Sequence, residues 1–149
     1  MSADEDRRGR MLVNTRAVRI EWGDCDPAGI VYYPRYFAMF DACTTALIER
    51  ALGMTKHAYM KAYDAGGHPL VNTRSRFLSP NRFGDDVTIE TTATELRRSS
   101  FDLRHRLFKD DALSVECFET RVWVRGDPVR GTMKPAPLPQ ELIERLGKG

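Results

Sequence analysis

The sequence predicts an α+β domain in which an antiparallel sheet packs around one long helix. Three observations carry that reading. The segment from Pro34 to Leu52 repeats its apolar residues at spacings of three and four. Most of the second half instead alternates apolar and polar residues through successive short segments, as strands wet on one face do. The chain has 149 residues, the length of one domain.

The elements follow in order. Residues 1–11 are charge-rich, with Asp4, Glu5, Asp6, Arg7, Arg8 and Arg10, and are expected to be a solvated tail before a single domain, 12–149. Leu12 to Trp22 reads as a strand with Val18, Ile20 and Trp22 on one face. Gly23, Pro27 and Gly29 then break the pattern, and Pro34 suits the first turn of a helix. That helix presents Phe37, Phe40, Thr44, Leu47, Ile48 and Ala51, and Gly53 stands where a C-terminal cap belongs. A short helix is expected from Thr55 to about Ala65, ended by Gly66 and Gly67.

The sheet comes next. Pro69 to Leu78 is strand-like, and Pro80 to Gly84 is a turn. Val87, Ile89, Thr91 and Ala93 alternate through a strand over Asp86 to Leu96. Phe101, Leu103, His105 and Leu107 do the same in the next strand, and Asp110-Asp111 marks a tight turn. Val115, Cys117, Val122, Trp123 and Val124 read as one long final strand. Pro128, Pro135, Pro137 and Pro139 close the sheet region, and Leu138 to Leu146 reads as a short surface helix.

Composition excludes several classes. Hydrophobic residues are 42% and charged residues 30%, the balance of a globular protein. Lys and Arg number 23 against 21 Asp and Glu, a formal charge of +2, so no basic footprint points to nucleic acid. No apolar run approaches the roughly 20 residues of a membrane helix. Nothing resembles a signal peptide. Cys25, Cys43 and Cys117 form no CxxC pair and read as reduced thiols of a cytoplasmic protein. Cys43 and Cys117 are expected in the core, and Cys25, between two carboxylates, is a poor nucleophile. His57, His68 and His105 share no metal spacing and read as surface or pairing residues, so no structural or catalytic metal is expected.

Chemistry concentrates in Gly23-Asp24-Cys25-Asp26-Pro27-Ala28-Gly29-Ile30-Val31-Tyr32-Tyr33-Pro34. Two carboxylates sit in a turn-rich loop just before the N-terminus of the long helix. Unpaired N–H groups and the positive dipole end there suit a developing oxyanion. A carboxylate nearby can serve as nucleophile or as general base for water. Asp24 and Asp26 serve equally well as turn and cap residues. A metal-loop reading of Asp24-Cys25-Asp26 fails at its twelfth position, which is Arg35. On a helical wheel Asp41 falls between Ile48 and Leu52, within the apolar stripe. It therefore lies at the edge of the core, paired with an Arg, or lines a pocket.

The run GDCDPAGIVYYP resembles the signature loop of the hot-dog-fold acyl-CoA thioesterases, and most closely the 4-hydroxybenzoyl-CoA thioesterase group. Tyr33-Pro34-Arg35-Tyr36, Asp41, the segment Phe83 to Thr91, and Arg97-Arg98-Ser99-Ser100-Phe101 extend the resemblance from about Val18 to Val124. It implies a hot-dog fold, hydrolysis of an acyl-CoA thioester, no cofactor, and homo-oligomers that are dimers or dimers of dimers with acyl pockets at subunit interfaces. Asp26 matches the family's catalytic carboxylate, as nucleophile or general base, and the backbone N–H of Tyr33 its oxyanion donor. Tyr32 falls in the acyl pocket, where the group tends to have Trp. Asp41 matches the residue that recognises a para hydroxyl on the ring. Gly67 and His68 match the segment that closes the pocket from the neighbouring subunit. Arg97 and Arg98 match contacts to the phosphates of coenzyme A, with Ser99 where the group can have Lys. Val31, five residues after Asp26, stands where hot-dog hydratases have His, which disfavours that chemistry. A hot-dog module that binds acyl-CoA without turning it over is the alternative.

Overall fold

The computed structural model describes residues 11–127 and 129–147. The expected tail lies outside these apart from Met11, which packs against the core. Pro128 and the last two residues of the expected domain also lie outside them.

The elements are β1 (Val13–Arg19), α1 (Pro34–Leu52), α2 (Lys56–Ala62), β2 (Leu70–Phe77), β3 (Asp86–Leu96), β4 (Ser100–Lys109), β5 (Ala112–Val122), β6 (Val124–Arg125), β7 (Lys134–Pro135) and α3 (Gln140–Leu146). Five strands form one antiparallel sheet in the order β1-β3-β4-β5-β2. The α+β plan of a sheet around one long helix is thus the observed architecture. The β4–β5 turn falls at Asp110 and Asp111, whose φ values of 48° and 65° are the left-handed pair that a two-residue hairpin requires.

Helix α1 forms where the three-and-four spacing places it. Pro34 opens it, and Gly53, at φ 66°, caps it by donating its N–H to Glu49 O. Its apolar stripe divides over two clusters. Tyr36, Phe40 and Cys43 pack with Ile20, Ile89, Leu107 and Val115. Leu47, Ile48 and Ala51 pack with Tyr59, Phe101, Leu103 and Trp123. Burying each of the larger side chains contributes about 1.5–3 kcal/mol. Between the clusters, at the intervening inward position of each element, lie Thr44 of α1, Thr91 of β3, His105 of β4 and Glu119 of β5, all buried. A polar layer therefore crosses the core at the middle of the helix.

Four local expectations are corrected. Strand β1 ends at Arg19, and Trp22 enters a 3-10 turn over Trp22–Asp24. It is exposed and meets the ring of Phe83 edge-on instead of joining the core. Helix α2 ends at Ala62, where Asp64 turns the chain at φ 49° before the glycines are reached. The final strand breaks at Trp123, whose ring is buried against Tyr59 and His68. The C-terminal helix begins at Gln140 and is not a surface element: Leu142 and Leu146 are fully buried against α1 and its cluster.

Candidate active site

The loop before α1 folds as a small hairpin bridged at Cys25 and Val31. Asp26 N–H donates to Ile30 O at 3.0 Å, and Gly29 N–H donates to Asp26 O at 2.9 Å. Gly29 closes the turn at φ 81°, where a side chain would be strained. Ala28 N–H donates to Asp26 Oδ1 at 2.8 Å. The second carboxylate oxygen of Asp26 meets no hydrogen-bond donor among the described residues. Asp24 is spent differently: its Oδ2 accepts from Glu21 N–H at 2.8 Å and its carbonyl from Tyr32 N–H at 2.8 Å. The two carboxylates thus serve separate turns.

Tyr33 stands at the N-cap of α1 with Pro34 at the first helical position. Among the described residues no acceptor pairs with the Tyr33 N–H, and Pro34 has none to offer. The rings of Tyr32 and Tyr33 are exposed, 5.6 Å apart between centroids, and Tyr33 meets Phe37 edge-on. Asn81 clamps the loop from outside. Its carbonyl accepts from Val31 N–H at 2.9 Å, and its side-chain amide donates to the Tyr36 hydroxyl at 2.9 Å.

Two turns along α1, Phe37 and Asp41 line a cavity of about 430 Å³ with Lys56, Gly67, His68 and Arg121. Of the predicted site residues, Asp41, Gly67 and His68 therefore meet within one chain, whereas Asp26, Tyr32, Tyr33, Arg97 and Arg98 lie off this cavity. Asp41 is 60% exposed and pairs with Arg121, its Oδ1 2.9 Å from Arg121 Nη2. The paired-edge and pocket-lining readings of Asp41 both hold. His68 is not on the surface but is a pairing residue: it is buried, its Nε2 2.8 Å from the Tyr59 hydroxyl. Burial, with the positive charges of Lys56 and Arg121, pushes its pKa down to about 4.

Arg121 is only 5% exposed and donates from Nε to Glu119 Oε2 at 2.7 Å. Glu119 Oε1 lies 3.0 Å from His105 Nε2, and Thr44 donates its hydroxyl to Glu119 Oε2 at 3.2 Å. His105 Nδ1 is 2.8 Å from the Thr91 hydroxyl. Burial works to raise the Glu119 pKa, but the hydrogen bonds and charges of His105 and Arg121 outweigh it and hold it at about 2. A carboxylate only accepts, so His105 carries a hydrogen on Nε2.

Sequence reasoning left Glu119, Arg121 and Lys56 unassigned. The first two were visible in principle. They continue the inward period of Val115 and Cys117 on β5, so that two charged residues fall on a face expected to be apolar.

The Arg97-Arg98 pair splits. Arg97 forks onto Asp102 at 2.6 Å and 3.0 Å and donates from Nε to the Ser100 hydroxyl at 2.8 Å. Arg98 is exposed, with no ion pair among the described residues. Cys43 and Cys117 are buried as expected. Arg74, Arg76 and Arg106 lie on the outer face of the sheet, Arg76 paired with Glu116 and Arg106 with Glu90. Among the described residues no helix is long and apolar enough to cross a membrane.

A family model described as the thioesterase-like superfamily matches residues 20–146. The chain is 33% identical over 136 residues to a 4-hydroxybenzoyl-CoA thioesterase of Pseudomonas sp. (strain CBS-3), covering 87% of this chain and 94% of that one. It is 31% identical over 127 residues to a 1,4-dihydroxy-2-naphthoyl-CoA hydrolase of Synechococcus elongatus, covering 85% and 90%. A crystal structure of a 4-hydroxybenzoyl-CoA thioesterase mutant complexed with 4-hydroxybenzoyl-CoA superposes with a TM-score of 0.81 at 30% identity, covering 90% of this chain and 98% of that one. In sequence and in superposition alike, the chain belongs to the thioesterase-like superfamily and is a hot-dog thioesterase.

Proposed function

We propose that the chain hydrolyses the thioester of coenzyme A with an aromatic acid that carries a ring hydroxyl, of the 4-hydroxybenzoyl type, to the free acid and coenzyme A. The observation that carries this is the spacing of Tyr33, Phe37 and Asp41 on one face of α1. Eight residues of helix span about 12 Å. A hydroxybenzoyl group is about 6 Å from carbonyl carbon to hydroxyl oxygen by ordinary bond lengths. A hydrogen bond of about 3 Å at each end makes up the rest. In this reading the Tyr33 N–H receives the thioester oxygen, Phe37 flanks the ring and Asp41 accepts from the hydroxyl. The two relatives above are both named for hydroxylated aromatic acyl groups, which supports the same substrate class.

Asp26 supplies the attack. Either its carboxylate adds to the carbonyl, expelling the thiolate and leaving an anhydride that water cleaves, or it takes a proton from a water that adds directly. In both routes one water is consumed, and its second proton ends on the coenzyme A sulfur. The oxyanion formed on the way is held at the helix start. Phosphates of coenzyme A fall to Arg98 first, because Arg97 is already forked onto Asp102. The working unit in this reading is a homo-oligomer, dimer or dimer of dimers. Asp26 lies off the cavity of a single chain, and the outer strand β2 leaves Leu70, Val71 and Phe77 exposed on an edge with one neighbour.

Thiol release from 4-hydroxybenzoyl-, benzoyl-, phenylacetyl- and short-chain acyl-CoA, by wild type and Asp26→Asn, tests this. The expected result is fastest release from the hydroxylated ester, reduced at least about 10²-fold in the variant. Wild-type turnover by Asp26→Asn would remove Asp26 from the mechanism. No release from any ester, with coenzyme A still bound, would make the protein an acyl-CoA-binding module.

A further inference from the structure

We infer that Arg121, anchored in the core by Glu119 and His105, is the positioning residue that fixes Asp41 for reading the substrate's ring hydroxyl; this rests on the substrate class proposed above. Asp41 sits on the cavity wall and is 60% exposed, so by itself it is a short side chain free to turn into water. Among the described residues its one charged partner is Arg121, at 2.9 Å.

Arg121 is built not to move. Its Nε donates to Glu119 at 2.7 Å, its Nη1 donates to the carbonyl of His68 at 3.3 Å, and its Nη2 is left for Asp41. Glu119 is locked in turn by His105 at 3.0 Å and Thr44 at 3.2 Å. The His105 ring is stacked on Phe40 with centroids 4.9 Å apart and is tied to Thr91 at 2.8 Å. The chain of contacts thus runs from the closed centre of the core to one carboxylate oxygen on the cavity wall. Each internal link is at most 5% exposed at its side chain, and only the last reaches solvent.

A buried ion pair of this kind is a poor way to stabilise a core, since well-packed apolar residues usually do as well or better. What it supplies is a fixed geometry, the support that a recognition group needs from behind. The fork matters: three nitrogens on one rigid plane serve three acceptors in three directions, which a lysine ammonium on a flexible stem does not reproduce. Arg121 also offsets the charge of Asp41. The cavity then ends in an oriented acceptor, suited to a neutral hydroxyl, and not in an isolated negative charge.

The test measures the ratio of kcat/KM for 4-hydroxybenzoyl-CoA to that for benzoyl-CoA. General damage to the enzyme cancels in that ratio. Wild type, Asp41→Asn, Arg121→Lys and the double variant are compared, with folding checked by circular dichroism. The expected result is a fall of about tenfold in the ratio for Arg121→Lys, with no further fall when Asp41→Asn already carries the defect. If Arg121→Lys does not fold, Glu119→Gln, which keeps volume and an acceptor but removes the charge that holds Arg121, is expected to lower the ratio in the same direction. A wild-type ratio in the folded variant while Asp41→Asn lowers it overturns the positioning role and leaves the substrate class standing. Independent, multiplying losses in the double variant also overturn it, because Arg121 would then act other than through Asp41. An unchanged ratio in both single variants overturns the positioning role and the hydroxyl-reading of Asp41 together.

Discussion

The loop that carries Asp26 and the cluster that carries Asp41 hold a carboxylate each, by opposite means. Asp26 is held by the backbone: three hydrogen bonds within five residues and one glycine turn define its place, and its side chain contributes only one of them. Asp41 is held by side chains: its partner Arg121 of β5 is held by Glu119, and Glu119 in turn by His105 of β4 and Thr44 of α1, buried residues far apart in sequence. A backbone-built site can change its reacting side chain at little cost to the fold. A side-chain-built site ties recognition to stability, because removing one member strands another without a partner.

The largest expected effect sits in the second region. Glu119→Ala leaves Arg121 buried beside a hole, and urea unfolding should show a loss of about 3–5 kcal/mol. A loss under about 1 kcal/mol would mean that water or a rearranged Asp41 replaces Glu119 readily, and the contrast between the regions would fail.

The next effect is in acid. The pKa of His68 lies at about 4 in the fold against 6.5 ordinarily. Below pH 6.5 the unfolded chain therefore takes up a proton that the folded chain refuses. Stability from this group is intact above 6.5 and falls as pH drops to 4, by about 3 kcal/mol in all. Glu119, with a pKa at about 2 against 4.5, extends the decline below pH 4.5. His68→Gln should flatten the first part of the curve, measured as unfolding midpoints at pH 7 and pH 4.5. An unchanged slope would show that another group titrates there.

Smaller effects belong to the loop. Gly29→Ala meets no atom within 4 Å, so its cost is the strain of φ 81° alone, about 1–2 kcal/mol. Asp26→Asn keeps an oxygen to accept from Ala28 N–H, and its stability should match wild type within about 0.5 kcal/mol, whatever happens to turnover. A large loss there would mean that the loop, too, depends on charge.

The same division decides what could be read from the sequence. Period and punctuation are local, so α1 with its glycine cap, strands β3 to β5 and the Asp110-Asp111 turn lie where the spacing predicts. The Asp26 loop is local as well, and its residues stand together in the chain. Asp41, Glu119, Arg121 and His105 meet only because β4 and β5 face the middle of α1, a fact of packing. Their one local trace is charge on the inward period of β5. Trp22 and α3 misled for a related reason. A strand pattern does not show where a chain leaves the sheet, and a short amphipathic helix does not say whether its apolar side finds a core. At α3 it does, through Leu142 and Leu146.

The strand order has a consequence in time. Strands β3 and β4 each pair with the strand that follows through a short turn, whereas β2 precedes this meander in the chain and pairs with its last strand, β5. Contacts that close long loops pay chain entropy before they gain anything. Gly67 and His68 lie immediately before β2, so one wall of the cavity rides on an edge strand with a single neighbour, which opens more readily than strands inside the sheet. Amide hydrogens of β2 should then exchange with solvent ahead of those in β4. The enzyme would thus have a breathing mode that opens one wall of the cavity while the β3–β5 meander stays paired.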